Sequence, residues 1–219
     1  MPEPEYTLYA ESVKNGFRFR NTGKNKLTKE YSMAQSLLAD PIVTERLILR
    51  QTYTDLVPEL TRYYVENLEY FAPYDPFAIP ELCSEERRRN AVESEITKIR
   101  AGRGLYYYVF TKDDPSRLIG TISFVRIRPL PYSSTIFGYD LAHEAWGRGY
   151  MTESCRAALS FLFEHTSVNR IEARVSTGNS RSVNVLERLG FTFEGREYKS
   201  IFIDGEYRDH FRYSLLRSP

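Results

Sequence analysis

The chain of 219 residues has little cysteine and histidine, with two cysteines, Cys83 and Cys155, and three histidines. So few of these residues provide neither a disulfide framework nor the spacing of a zinc site, and we expect no metal. No apolar run approaches the ~20 residues that a membrane-spanning helix needs, and the first residues lack the apolar core of a signal peptide. The sequence therefore predicts a soluble, cytoplasmic protein without membrane contact.

An excess of charge of one sign is also missing, because 30 basic residues offset 29 acidic ones. This balance argues against nucleic-acid binding through the field of the whole protein. The exception is residues 1–40, where every charged residue from Ser12 to Lys29 is basic. We interpret residues 1–40 as an extension that is either solvated or a basic arm for an acidic partner such as the ribosome. Residues 41–219 are predicted to form one domain.

Hydrophobic periodicity and turn residues predict the order β-α-α-β-β-β-α-β-α-β-β for that domain. The charged run Glu85–Arg89 is interpreted as a solvated helix face, and Asp204-Gly205 predicts a type I′ hairpin turn. The predicted helices run from about Leu56 to Glu69, Ser84 to Arg103, Thr152 to His165 and Asn179 to Arg188.

The stretch from Gly138 to Glu153 carries the clearest chemical signal, because a strand enters a glycine-punctuated turn and then a helix. Gly147 and Gly149 lack a Cβ, so the backbone there can approach a ligand closely, and Arg148 adds a positive charge. The first N–H groups of a helix have no partner within it and carry partial positive charge. The turn therefore predicts an anion site, most simply for phosphate, the alternative being an ordinary strand-to-helix turn.

Three motifs resemble one known family. The run from Trp146 to Glu153 resembles the pyrophosphate loop of the GNAT acetyltransferases, and Asn179 to Phe191 is similar to that family's second motif, N-x-x-S-x-x-x-L-E-x-L-G-F. Residues Glu194 to His210 are similar to the RimJ/RimL branch, which contains N-terminal acetyltransferases of ribosomal proteins. The resemblance covers about Val43 to Leu216. It implies a mixed α/β fold in which a splayed, seven-stranded mixed sheet is flanked by helices and holds acetyl-coenzyme A in the splay.

The resemblance also implies the coenzyme site. The turn would hold the pyrophosphate, the end of the preceding strand would pair with the pantetheine arm, and two asparagines would contact the coenzyme. Asn179 also suits the N-cap position of its helix. The implied coenzyme-binding residues are Leu141, Trp146, Gly147, Arg148, Gly149, Tyr150, Met151, Thr152, Asn179 and Asn184.

Acetyl transfer to an amine needs a base for the acceptor and a proton for the leaving thiolate. Many family members supply this proton from a tyrosine seven residues after the motif asparagine, where this chain has Leu186. The branch instead implies a serine three residues after it, here Ser182, whose alternative role is to pack in the first helical turn. The glutamate position of the branch holds Ile201. The base therefore stays open among a water chain and the side chains of Glu69, Asp140, His143, Glu144 and Tyr198.

The aromatic stretch from Tyr70 to Phe77 predicts either a loop packed on the core or a wall of the acceptor cleft. The resemblance implies that the acceptor is a protein N-terminal amine, as of a ribosomal protein. Two alternatives stay open: acetylation of a small amine (amino acid, polyamine or antibiotic), and a coenzyme A-binding module without activity. A monomer and a homodimer both fit the sequence. Candidate acceptor contacts are Tyr70, Phe71, Tyr74 and Tyr198.

Overall fold

The structure, a computed structural model, describes residues 41–76 and 83–218. The predicted extension, including the basic arm, lies outside the described residues, as does Phe77. No helix within these two ranges is long and apolar enough to cross a membrane. The strands are β1 (Ile42–Val43), β2 (Leu47–Gln51), β3 (Gly104–Thr111), β4 (Leu118–Arg128), β5 (Ser134–Leu141), β6 (Arg170–Ser176), β7 (Thr192–Ile203) and β8 (Glu206–Leu216). The helices are α1 (Val57–Phe71), α2 (Glu85–Arg100), α3 (Tyr150–His165) and α4 (Ser180–Arg188).

The strands form one mixed sheet in the order β1-β2-β3-β4-β5-β6-β8-β7, in which β5 and β6 are parallel and the other pairs antiparallel. The predicted fold class and element order are confirmed. The difference is β1, a two-residue edge strand that brings the sheet to eight strands instead of seven. Two residues are too few to show the alternation that reveals a strand in a sequence.

Strand β3 lies inside the sheet and is buried along most of its length because helices cover both of its faces. Successive side chains of a strand point to opposite faces. The Tyr108 hydroxyl donates to Glu95 of α2 at 2.7 Å, whereas the ring of the preceding Tyr107 packs on Phe161 of α3. The domain thus has three layers, with α2 on one face of the sheet and α3 on the other.

The sheet splays between its two parallel strands. Residues Ser134–Phe137 of β5 pair with Arg170–Ala173 of β6, after which the strands part although both continue. Gly138–Leu141 remain paired with β4 on the other side. The last residues of β6 likewise remain paired with β8. An open edge therefore forms in the middle of the sheet, as the sequence predicted.

The β7–β8 hairpin confirms another prediction. Asp204 and Gly205 both have positive φ, 48° and 81°, and join the paired residues Ile203 and Glu206. Two successive positive φ values are the signature of a type I′ turn. The hairpin places β8, and not β7, beside β6.

The interpretation of Glu85–Arg89 as a solvated face is wrong at one position. Arg88 is only 9% exposed, while the residues on either side of it in the run are exposed. It shares the inward face of α2 with Val92 and Ile99, which are buried. Its guanidinium lies 3.6 Å from the centre of the Tyr64 ring on α1. Charge composition does not reveal which member of a run a helix turns inward.

Candidate functional site

The open edge between β5 and β6 leads into a cleft of about 1080 Å³. Residues 138–141 and 173–176 line it from the two strands, and further lining comes from the turn before α3, from α4, and from α1 and α2. Clefts of this size bury most of a ligand of several hundred daltons. The splay therefore builds the main candidate site.

The turn between β5 and α3 has the geometry of an anion site. Gly147 and Gly149 adopt left-handed φ values of 77° and 76°, which other residues rarely tolerate. Gly149 is the N-cap of α3, and its carbonyl accepts the backbone N–H of Glu153 at 3.1 Å. The N–H groups ahead of Glu153 are the orphan donors of the helix start. Met151 and Thr152 of this segment line the cleft.

Thr44 and Arg46, in the turn before β2, form a clamp that keeps the one carboxylate of this helix turn away from those donors. Glu153 accepts hydrogen bonds from Thr44 Oγ1 at 2.6 Å and from Arg46 Nε at 2.7 Å. Arg46 Nη1 also donates to the Arg148 carbonyl oxygen at 2.9 Å. The clamp holds the outer side of the turn and leaves the helix start to a ligand. The sequence carries no signal for it, because the partners are more than 100 residues apart.

Trp146 ties the turn to β5 and α4. Its indole Nε1 donates to the Leu141 carbonyl oxygen at 2.9 Å, at the end of the open β5 edge. The guanidinium of Arg181 lies 3.8 Å from the centre of its ring, a cation–π contact. Leu141, Trp146 and Arg181 all line the cleft, so this contact brings a positive charge beside the glycine turn.

The start of α4 brings three predicted residues into the cleft. Asn179 caps the helix, since its Oδ1 accepts the backbone N–H of Ser182 at 3.1 Å. It lines the cleft as well, as do Ser182 and Asn184. The capping role and a place in the site are therefore compatible for Asn179. Leu186, at the position of the tyrosine that many family members carry, is buried in the core.

Tyr139, which no sequence motif singles out, contacts Ser182 across the cleft. Its hydroxyl donates to the Ser182 carbonyl oxygen at 2.9 Å and also lies 2.9 Å from Ser182 Oγ. Burial raises the pKa of the phenol well above its ordinary value, so it stays protonated and able to donate. Because 43 residues separate the pair, only the fold brings the two hydroxyls together.

Asp140, the next residue of β5, faces the other side of the sheet. Its Oδ2 accepts a hydrogen bond from Thr121 Oγ1 at 3.1 Å, and it lines the part of the cleft shared with Asp75 and Arg88. Burial, reinforced by the charge of Asp75, raises the pKa of Asp140 to about 7, against the opposing effects of Thr121 and Arg88. A carboxyl group with such a pKa can accept a proton near neutral pH.

The other candidate bases lie elsewhere. Glu144 is exposed and paired with Arg117 at 2.7 Å, which holds the pKa of its carboxyl below the ordinary value. His143 is exposed and stacks on Tyr70 with 4.0 Å between ring centres. Glu69 is exposed on α1, and Tyr198 is 75% exposed on β7. Of the predicted set, Asp140 is therefore the acidic group that the fold puts in the cleft wall.

The remaining predicted residues divide between the cleft and its surroundings. Tyr70, Phe71 and Tyr74 line the cleft, which places the aromatic stretch on its wall. Tyr150 packs instead beneath Arg46, whose guanidinium lies 4.7 Å from its ring centre. Arg148 is exposed on the turn. Tyr198 lies on the hairpin, outside the cleft lining.

Fold and site together define an acetyltransferase with a splayed mixed sheet. The chain belongs to the GNAT acetyltransferase family, whose domain matches residues 46–192. It is 29% identical over 171 residues to the [ribosomal protein uS5]-alanine N-acetyltransferase of Escherichia coli strain K12, covering 77% of this chain and 87% of that protein.

Two solved structures share the fold. The ribosomal-protein-S5-alanine acetyltransferase from Vibrio fischeri superimposes with a TM-score of 0.77 at 24% identity, covering 81% of this chain and 97% of that one. RimL, a ribosomal L7/L12 α-N-protein acetyltransferase solved in complex with coenzyme A, gives a TM-score of 0.75 at 24% identity, with 81% and 98% covered.

The clamp on Glu153 gives a first prediction. Arg46→Ala removes the anchors on both Glu153 and the Arg148 carbonyl, so amide hydrogens of residues 147–153 should exchange faster with solvent. Hydrogen–deuterium exchange read by mass spectrometry measures this change. Arg50→Ala is the matched control, because Arg50 lies on the adjoining strand β2 and donates to the Pro115 carbonyl oxygen instead. Equal exchange in both variants would show that Arg46 does not hold the turn.

Proposed function

We propose that the protein transfers the acetyl group of acetyl-coenzyme A to a protein N-terminal amine. The observation that carries the proposal is the arrangement on β5. Tyr139 there contacts Ser182, and the adjacent Asp140 presents a carboxyl with a pKa of about 7 on the opposite face. Relatives that are named for acetylating N-terminal residues of ribosomal proteins support the choice of acceptor.

In this proposal the coenzyme is held by the turn and α4. The pyrophosphate is bound by the backbone N–H groups of residues 147–152, a helix start of the kind that binds phosphates. Arg148 and Arg181 add positive charge. The pantetheine arm follows the open edge of β5 to Leu141, while Asn179 and Asn184 contact the coenzyme from α4. The described residues contain no group of three or more metal-ligating side chains, and no step requires a metal.

Asp140 then acts as the base. An α-ammonium group, with a pKa of roughly 7.7–8.0, must lose a proton before its nitrogen can attack. The Asp140 carboxylate accepts that proton, and the nitrogen lone pair forms a bond to the thioester carbonyl carbon. Thr121 orients the carboxylate through its hydrogen bond.

Ser182 serves the leaving group. As the tetrahedral intermediate collapses, the C–S bond breaks, its electron pair stays on sulfur, and the nitrogen loses its second proton to water. The Ser182 hydroxyl gives its proton to the thiolate and regains one from water, while the Tyr139 hydroxyl, 2.9 Å from Ser182 Oγ, holds that oxygen in place. The two hydroxyls thereby take the role of the tyrosine that many family members carry where this chain has Leu186.

The acceptor enters from the side of α1 and α2, where Tyr70, Phe71 and Tyr74 form an aromatic wall. A contact of the acceptor with Tyr198 stays a prediction, as do the domain boundary at residue 41 and the ribosome contact of residues 1–40.

A panel of acceptors tests the proposed function. Peptides beginning with alanine or serine should release free thiol from acetyl-coenzyme A and gain one acetyl group at the α-amine, located by tandem mass spectrometry. Turnover restricted to polyamines or aminoglycosides would assign a small-molecule acceptor instead. Coenzyme binding without turnover on any amine would identify a binding module.

Removing the proposed proton donor should separate turnover from binding. We expect Ser182→Ala to lower kcat by about 100-fold, the lower end of general acid catalysis. Tyr139→Phe should lower kcat by a smaller factor, because water can replace the hydroxyl that contacts Ser182 Oγ. The coenzyme A Kd should stay within about twofold, read from the fluorescence of Trp146, the only tryptophan of the chain. Ser180→Ala, an exposed neighbour on α4, is the control. An unchanged kcat in Ser182→Ala would remove the serine from the mechanism.

The pKa of Asp140 predicts a pH dependence. Its carboxyl is protonated below about pH 7 and cannot accept a proton there, so kcat/KM should rise with pH through an apparent pKa near 7. Burial raises this pKa most and the charge of Asp75 raises it further, whereas Thr121 and Arg88 lower it. Asp140→Asn should replace that rise by one near the acceptor's own pKa of roughly 7.7–8.0 and lower kcat/KM by about 100-fold. If Asp140→Asn keeps both the rise of kcat/KM near pH 7 and its wild-type value, the base lies elsewhere.

A further inference from the structure

Arg88 of α2 is a buried cation with unused hydrogen-bond donors. It is 9% exposed, and its Nε and Nη2 atoms are buried without an acceptor among residues 41–76 and 83–218. A buried charged donor that lacks an acceptor is costly, and native structures rarely keep one without a ligand or another reason. Arg88 also lines the cleft, so a ligand bound there can reach it.

The two unused nitrogens define the shape of the missing partner. Nε and Nη2 lie on one edge of the planar guanidinium, the edge that donates two parallel hydrogen bonds to a carboxylate. The face of the guanidinium is occupied, because Cζ lies 3.6 Å from the centre of the Tyr64 ring. This cation–π contact limits rotation and leaves the edge as the part of Arg88 that can bind a ligand.

The surroundings place Arg88 on the side of the cleft that is proposed for the acceptor. Arg88 lines the cleft together with Asp75 and Asp140, and its charge acts on the Asp140 carboxyl. The coenzyme contacts proposed above lie instead on the turn and on α4. An acceptor whose amine reaches Asp140 therefore has Arg88 within reach of its neighbouring groups.

We propose that Arg88 is a specificity-determining residue that binds a carboxylate carried by the acceptor close to its reactive amine. The inference rests on the proposed function, because it takes the amine as the acetylated group. Two sources provide this chemistry: the acidic side chain of the second residue of a peptide, and the α-carboxylate of a free amino acid. The guanidinium edge binds the carboxylate in both cases, and the ammonium lies toward Asp140.

Paired acceptors distinguish the sources. One pair is a peptide that begins Ala-Glu and its counterpart that begins Ala-Gln, and the other is alanine and alaninamide. We expect the acidic member of one pair to have a kcat/KM at least about tenfold higher than its amide. A preference within the peptide pair assigns the side chain, and a preference within the second pair assigns the α-carboxylate. Equal use within both pairs would overturn the proposal.

Arg88→Met supplies the matching variant, since methionine fills similar space without charge. It should lower acetylation of the acidic acceptor to the level of its amide and leave the amide acceptor within about threefold. Arg89→Met, which changes the exposed neighbour on the same helix, should keep the wild-type preference. If Arg88→Met lowers both acceptors alike, the arginine only supports the cleft wall and the proposal fails.

Two further measurements keep the test decisive. Because Arg88→Met removes an unpaired buried charge, it should not lower the melting temperature. If Arg88→Met nevertheless unfolds, Arg88→Lys is the second variant. It keeps the charge without the paired edge and should show a reduced preference for the acidic acceptor. If no amine is acetylated at all, the proposed function fails separately. Calorimetry with the N-acetylated Ala-Glu and Ala-Gln peptides then decides the inference, since wild type should bind the acidic one more tightly and equal binding would refute it.

Discussion

The structure of this site depends on the parting of two parallel strands. Backbone N–H and C=O groups inside a protein need partners, and a sheet usually supplies them from the neighbouring strand. Here β5 loses its neighbour after Phe137 and runs on with one edge open to the cleft. One open carbonyl, that of Leu141, is taken by the indole of Trp146. The rest of the open edge of β5 can receive an extended ligand, and the cleft exists because β5 and β6 part.

Because side chains alternate along a strand, β5 carries a phenol and a carboxyl on opposite faces of the sheet. Tyr139 and Asp140 are adjacent, so their side chains leave the same open edge on opposite faces of the sheet. Burial raises the pKa of both groups, with opposite consequences near neutral pH. The phenol stays a donor beside Ser182, while the carboxyl becomes able to exchange a proton. This difference supports the proposed division of roles between a proton-donating side at Ser182 and a base at Asp140.

Local patterns were sufficient for most of the fold and for the glycine turn. The order of elements along the chain and the capping by Asn179 follow from motifs a few residues long, and the splay follows from the family resemblance that such motifs carry. The clamp from Arg46 and the contact between Tyr139 and Ser182 join residues far apart in the chain, and no local pattern encodes them. Arg88 was misassigned for another reason: a charged run predicts solvent exposure on average, whereas burial depends on which face of α2 packs inward.

The charge balance of the cleft links Arg88 to the chemistry at Asp140. The positive charge of Arg88 lowers the pKa of Asp140, while Asp75 and burial raise it. An acceptor with only an ammonium group would add a second positive charge close to Arg88, which repels it. An acceptor that also carries a carboxylate adds no net charge and satisfies the guanidinium edge while its ammonium faces Asp75 and Asp140. On the proposal above, the cleft favours acceptors that carry both charges close together.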